Sequence, residues 1–314
     1  MKILVVDDDP VILDLLPTVL RQEGHHDISV AASGDGALDI LSCSDEIFDV
    51  LILDIMMPGM DGIELCTNIR EMQSYINTPI IMLTARSDTC SIESAFAAGA
   101  NDYITKPFDI KSIGSRIQIA ERMMNETCKI VRYSSLIKPL PEPFGTHEFD
   151  VGDPVRISGL KQHTDPFSLG NYLSQLARKK VDQTSVFALK INAFEAHYDY
   201  FSSKELLLII SELSNAIAIA ADNKRLLNAC VGSGIFICIA TDDVLGIWLA
   251  MEERIDTYLK QSELLRGADL SVDVTVTLGR PFRPNASKTK RVRPTFDRAV
   301  SLLSKRIEVN TMAR

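Results

Sequence analysis

Between Met1 and about Met124, five short apolar runs alternate with segments of helical spacing. Ile3-Leu4-Val5-Val6 stops at Asp7-Asp8-Asp9, Ile28 to Ala31 follows, and Val50 to Leu53 stops at Asp54. Pro79 to Leu83 stops at Thr84-Ala85, and Tyr103-Ile104 leads into Lys106-Pro107. Runs this short and this continuously apolar read as strands buried on both faces. Between them, Pro10 to Glu23 places Val11, Leu15, Leu16, Val19 and Leu20 on one helical stripe, with Pro10 in the first turn and Gly24 past the end. Gly36 to Ser42, Ile63 to Met72, Ser91 to Ala98 before Gly99, and Ile110 to Met124 behind an Asp109 cap supply four more helices. Strand followed by helix, five times over, predicts an α/β fold with a doubly wound five-stranded parallel sheet.

The strand ends carry the chemistry. In parallel sheets, ligand sites lie just outside the carboxyl ends of the strands. There the sequence places Asp7 and Asp8, Asp54, Thr84 and Lys106. Taken alone, an Asp before a Pro58-Gly59 turn is more often a turn or helix-capping residue than a nucleophile. Clustered carboxylates repel, and a hard cation with oxygen ligands relieves them, which makes Mg²⁺ the natural cofactor. With that charge neutralised, Asp54 is positioned to attack a phosphoryl group in line, while Thr84 and Lys106 meet its oxygens.

The acidic pair in VVDDD, the block LILDIMMPGMDG, Thr84-Ala85 and Lys106-Pro107 together resemble the receiver domain of two-component response regulators, over roughly the first 120 residues. The resemblance implies a flavodoxin-like fold with Asp54 as phosphoacceptor. It also implies Mg²⁺ held by Asp8, Asp54 and the main-chain carbonyl of Met56 with support from Asp7, and a switch pair of Thr84 and Tyr103. In that pair a hydroxyl moves toward the phosphoryl group and an aromatic ring turns inward. It further implies a histidine kinase or phosphotransferase as donor.

Residues 125–164 read as a connector, in which Pro139, Pro141 and Pro143 forbid a continuous helix. Glu148 to Ser158 reads as a short hairpin around Gly152-Asp153-Pro154. The remainder, 165–314, changes pattern. Leu169 to Lys179 is a helix, Ser185 to Ile191 a strand and Lys204 to Ala221 a long helix. Ala229 to Val231 and Ile235 to Ala240 form a hairpin about Gly232-Ser233-Gly234, followed by a helix from Val244 to Gln261, a strand from Val272 to Leu278 and a helix from Thr295 to Arg306. The order β-α-β-β-α-β predicts a ferredoxin-like α/β sandwich.

With a glycine turn between two long helices, that layout resembles the GGDEF domain of diguanylate cyclases. Asp165-Pro166, Phe194 and Val274-Thr275-Val276-Thr277-Leu278-Gly279 match its scaffold. The catalytic positions depart from it. The signature turn reads Gly232-Ser233-Gly234-Ile235-Phe236, Lys190 replaces a first-strand carboxylate, and the guanine-contacting positions hold Tyr198 and Leu207. The inhibitory R-x-x-D is missing from Asn223 to Leu226. Joining two GTP molecules needs metal ions, which an ammonium at Lys190 repels. The resemblance therefore implies a domain without cyclase activity, not an enzyme. Its glycine turn retains main-chain N–H groups able to cradle a phosphate, which is weak evidence for nucleotide binding. The basic run Lys288, Lys290, Arg291 and Arg293 reads as a solvated loop.

Net charge −9 argues against a general nucleic-acid binder, so no DNA partner is expected. Six cysteines without C-x-x-C spacing read as reduced thiols. The start MKILVVDDD has no signal-peptide character, and the longest apolar stretch, Leu206 to Ala221, is broken by Ser211, Glu212, Ser214 and Asn215. A soluble cytoplasmic protein with no membrane partner is expected. The favoured function is a phosphorylation-controlled signalling protein whose second domain works through a downstream protein partner and self-association as a homodimer. The alternative is a phosphorylation-gated effector that binds GTP or cyclic di-GMP without making it, with an active cyclase a distant third.

Overall fold

The computed structural model describes residues 1–44, 47–85, 89–108, 110–124, 128–137, 147–160, 162–176, 178–222, 225–240, 244, 246–267, 274–285, 287 and 291–312. The chain divides into two compact units, Met1–Glu126 and Thr127–Arg314.

In the first unit, β1 (Lys2–Val6), α1 (Pro10–Gln22), β2 (Asp27–Ala31), α2 (Gly34–Cys43), β3 (Val50–Asp54), α3 (Gly62–Glu71), β4 (Ile80–Ala85), α4 (Thr89–Ala98), β5 (Asp102–Lys106) and α5 (Ile110–Met124) follow in turn. The sheet runs β2-β1-β3-β4-β5 and every pairing is parallel. Because side chains alternate across a strand, Ile3, Val5, Val50, Ile52, Ile81, Leu83 and Ile104 share one face. They pack on Leu16, Val19 and Leu20 of α1 and Ile113, Ile117 and Ala120 of α5. Leu4, Leu51, Leu53 and Met82, on the opposite face, are equally buried. Caps set the helix starts: Asp9 accepts from Val11 N, and Ser33 accepts from Gly36 N, starting α2 earlier than the apolar spacing indicates. The Asp109 cap lies outside the described residues.

One buried cation organises the far side of this unit. Arg70, 5% exposed in α3, donates to the carbonyls of Gly99, Tyr75 and Thr78 and to Asn101 Oδ1 at 2.7–3.1 Å. Asn101 Oδ1 also accepts from Ile80 N at 2.9 Å. The guanidinium thus ties α3 to the entrances of β4 and β5, and its planar set of donors suits that fan of carbonyls.

The second unit contains β6 (Lys129–Arg132), α6 (Tyr133–Leu136), β7 (Val155–Ser158), α7 (Pro166–Gln175), α8 (Arg178–Val181), β8 (Ser185–Ile191), α9 (Phe194–Tyr200) and α10 (Ser203–Ala220). Then come β9 (Leu226–Gly232), β10 (Ile235–Ala240), α11 (Trp248–Gln261), α12 (Glu263–Gly267), β11 (Val276–Leu278) and α13 (Val292–Met312). Its six-stranded mixed sheet runs β11-β8-β10-β9-β7-β6, antiparallel except for the parallel β6–β7 pair. Helix α10 starts from a full capping box, Ser202 with Glu205, and buries most of its surface in the core.

Several expectations are corrected here. The supposed connector contributes β6 and β7 to the second sheet, because Ile130, Val131 and Ile157 can satisfy their backbone and bury apolar surface only there. Gly152-Asp153-Pro154 is not the tip of a hairpin: Val155–Ser158 pairs in parallel with β6 and meets β9 at Val155–Cys230. The strand expected from Val272 is described only as Val276–Leu278, and the final helix extends over Val292–Met312. Arg291 is not solvated. It is 1% exposed and donates to the carbonyls of Leu173, Ser174, Leu176 and Asn285, while Lys288 and Lys290 lie outside the described residues. Among the described residues no helix is long and apolar enough to cross a membrane.

Buried behind the second sheet, His163 Nδ1 lies 2.7 Å from Asn228 Oδ1, which also accepts from Ser214 Oγ at 3.0 Å. Burial, opposed by the Asn228 hydrogen bond, pushes the imidazole pKa down to about 4. The folded pKa is thus below the ordinary value, so His163 stays neutral in the fold while the unfolded chain takes up a proton below about pH 6.5. Stability is therefore full above that pH and declines as pH falls toward the folded value, by roughly 3 kcal/mol once both states are protonated. Denaturant unfolding of the full chain between pH 7 and pH 4 should show this loss, and His163→Gln should flatten the decline; an unchanged pH slope in the variant would refute the assignment.

Candidate functional site

The acidic residues converge where strand order reverses, between β1 and β3, at the carboxyl ends of both strands. Three consecutive acids at the end of β1 take three different roles. Asp7 is fully buried and accepts from Asp9 N at 3.0 Å. Asp8 is exposed to solvent at the mouth. Asp9 caps α1. Asp54 closes β3 at 4% exposure. One carboxylate oxygen from each of Asp7, Asp8 and Asp54 falls within 4.8 Å of the others. Lys106, arriving from β5, places Nζ 2.7 Å from Asp7 Oδ2 and 2.8 Å from Asp54 Oδ1.

Asp54 and Lys106 titrate under the influence of these neighbours. Burial raises the Asp54 pKa, the Lys106 hydrogen bond opposes it, and the charges of Asp7 and Asp8 add to the rise. For Lys106, burial would lower the pKa, but hydrogen bonds to Asp54 and Asp7 outweigh it and the net change is upward. The ammonium stays charged, and three carboxylates against one ammonium leave a net negative, all-oxygen pocket. That donor set fits a hard divalent cation.

The loop beyond Asp54 is shaped by glycine. A Cβ on Gly62 would come within 1.9 Å of the Asp54 carbonyl oxygen, so only glycine allows the chain to return this close. Gly62 N donates to the Ile55 carbonyl at 3.0 Å, closing the loop, and Asp61 caps α3 through Ile63 N and Glu64 N. Met56 stands on this loop with its side chain 67% exposed. Thr84, 1% exposed, follows Leu83, the register partner of Asp54. Tyr103 on β5 is already turned inward: it is 9% exposed and meets Phe96 edge-on at 6.2 Å. Burial, with the nearby Asp102 charge, pushes its phenol up to about 12. Asp102 pairs with Arg116 of α5 at 3.0 Å, a link between β5 and α5 that the sequence patterns did not signal.

In the second unit, the positions matched to cyclase chemistry are occupied by packing. A Cβ on Gly234, whose φ is +67°, would lie 2.5 Å from the Phe194 ring. One on Gly232, φ +100°, would lie 2.1 Å from the Gly152 carbonyl oxygen. Ser233, φ 51°, donates its N–H to the Val151 carbonyl at 2.6 Å, so that donor is used within the protein. Lys190 pairs with Glu195 at 2.7 Å. Tyr198 donates to the Phe149 carbonyl at 2.6 Å and stacks on His147 at 3.8 Å, while Leu207 is a core residue at 4% exposure. The covering segment, residues 147–153, was not visible as such in the sequence because its contacts are made by main-chain carbonyls and two rings.

An acidic pocket on a 2-1-3-4-5 parallel sheet, with a lysine from the last strand, defines the phosphoacceptor domains of two-component signalling. Residues 3–118 match the family described as "Response regulator receiver domain". The first unit is a response regulator receiver domain. This part of the chain is 45% identical over 117 residues to the transcriptional regulatory protein YvrH of Bacillus subtilis (strain 168), covering 37% of this chain and 47% of that protein. It is 39% identical over 117 residues to the DNA-binding response regulator MtrA of Mycolicibacterium smegmatis (strain ATCC 700084 / mc(2)155), covering 37% and 49%. The chain thus spans about half the length of these curated relatives. A solved structure of a putative response regulator from Chloroflexus aurantiacus J-10-fl is 36% identical, covers 40% of this chain and 98% of its own, and has a TM-score of 0.36.

The close approach at Gly62 gives a direct test. Gly62→Ala should destabilise the protein by roughly 2–3 kcal/mol, as overpacking does, and should slow modification of Asp54 by displacing its main chain. Thermal unfolding with wild-type stability would show that the loop yields without cost.

Proposed function

We propose that the chain is a response regulator in which Asp54 accepts a phosphoryl group from a histidine kinase or phosphotransferase. On this reading the second unit is a GGDEF-like output domain without catalytic activity, working through protein–protein contacts that include self-association. The observation carrying the first half is Asp54 itself: buried, hydrogen-bonded to Lys106, and within one carboxylate cluster with Asp7 and Asp8. Mg²⁺, held by Asp8, Asp54 and the Met56 carbonyl with Asp7 in support, would neutralise charge on the transferring oxygens. The Asp54 carboxylate forms the new P–O bond as the donor's P–N bond breaks and the imidazole leaves. Lys106 orients that carboxylate beforehand and offers an ammonium to a phosphoryl oxygen, while Thr84 and Tyr103 act as the switch pair.

The second half rests on the sheet and the turn. The order β11-β8-β10-β9, antiparallel throughout, supports a ferredoxin-like core to which β7 and β6 are added at the β9 edge. Phe194 over Gly234 and the Val151–Gly152 segment against Gly232 and Ser233 leave the turn without room for a metal-binding acid. The same cover weakens the reading of a nucleotide sensor. YvrH and MtrA are named for transcription and DNA binding, but each match covers 37% of this chain and about half of that protein, so their output is not carried over to the second unit.

Incubation with a small-molecule phosphodonor and Mg²⁺ should produce one aspartyl-phosphate per chain, and Asp54→Asn should abolish it. Undiminished label on the variant would place the acceptor elsewhere. Purified protein supplied with GTP and Mg²⁺ or Mn²⁺ should yield no cyclic di-GMP; product that copurifies with activity through successive columns would restore the cyclase reading.

A further inference from the structure

A carboxylate without a cationic partner is buried midway along α10. Glu212 is 2% exposed, and its oxygens take neutral donors: Tyr133 Oη at 3.3 Å and Asn215 Nδ2 at 3.2 Å on Oε1, and Ser262 Oγ at 2.5 Å on Oε2. Among the described residues no lysine, arginine or histidine forms an ion pair with it. Hydrogen bonds to a charged acceptor offset part of its lost hydration, but a buried charge is fully compensated only by a counter-charge.

The same carboxylate lines a cavity of about 350 Å³, together with Tyr133, Tyr258, Ser262, Glu263 and Leu264. That volume is at the small end of ligand pockets. The charged groups in the lining are both carboxylates, Glu212 and Glu263, which excludes phosphates and other anions. The two tyrosines suit a cation that also has an apolar stem. Their phenols are raised in pKa, by burial first and then by the Glu212 charge, so the field of that carboxylate reaches both walls. A bare divalent ion is a poorer match, since the three-carboxylate cluster among the described residues is the one in the receiver domain.

We propose that this cavity binds a small organic cation, an ammonium or guanidinium group on a short alkyl chain. The charged head sits against Glu212, and the stem lies along Tyr133, Tyr258 and Leu264. The site uses none of the residues matched to cyclase chemistry, so it stands whether or not the second unit descends from a cyclase.

Calorimetric titration of the full chain with putrescine and with agmatine tests this, with 1,4-butanediol as the neutral isostere. At least one of the two cations should saturate a single site at millimolar concentrations or below, and the diol should not. Glu212→Gln keeps the size of the side chain and should weaken binding at least about tenfold. Leu264→Trp fills the cavity while leaving the carboxylate in place, and should abolish binding even where Glu212→Gln does not fold. Failure of both cations to saturate, equal binding of the diol, or wild-type affinity in the folded variants would overturn the proposal.

Discussion

The bridge from Lys106 to Asp7 and Asp54 is the interaction on which the receiver domain's working end depends. Three strands that are not consecutive in the chain finish at one point, and without a cation there two buried carboxylates would face each other across a low-dielectric gap. The ammonium makes that convergence tolerable, while Asp8 at the mouth leaves the pocket short of positive charge. A site built this way is held in readiness for an anion and a cation together. The apolar faces of β1, β3 and β4 supply the rigidity that keeps the carboxylates from relaxing apart.

Polar burial takes two forms in this protein. Arg70 and Arg291 are each almost fully enclosed, and each directs most of its donors to main-chain carbonyls, so they act as clamps between segments distant in sequence. Glu212 and His163 are enclosed among neutral partners. A guanidinium with five donors can satisfy several loose carbonyls at once, whereas a carboxylate or a neutral imidazole can hold only the groups immediately around it.

Much of the first unit was legible because its signals are local. Apolar runs of strand length, a proline at a helix start and polar residues at strand ends each follow from neighbours in the chain. Asp7, Asp8, Asp54, Thr84 and Lys106 were thus found as strand-end residues before any contact was known. Arg70, Asn101 and Arg116 were missed because each looks like an ordinary surface polar residue, and only tertiary packing encloses or pairs it. Pro139, Pro141 and Pro143 suggested a link, yet β6 and β7 lie within residues 125–164, on either side of them. Their four-residue runs were too short to stand out against the surrounding polar sequence. Arg291 was misread for the opposite reason: its place in a run of basic residues hid its burial.

Under the proposed function, the packing of Phe194 and Gly152 around the glycine turn carries a consequence for the domain's history. On the reading proposed here, the loss of an acid at Gly234 was followed, or accompanied, by a neighbour moving into its space. Each such settlement makes the earlier state harder to re-enter, since restoring the acid alone would now collide with an aromatic ring. Reversion requires concerted change at positions far apart in the chain, while further drift needs only one change at a time. On that proposed ancestry the turn behaves as a ratchet, steering the domain's descendants away from the earlier chemistry.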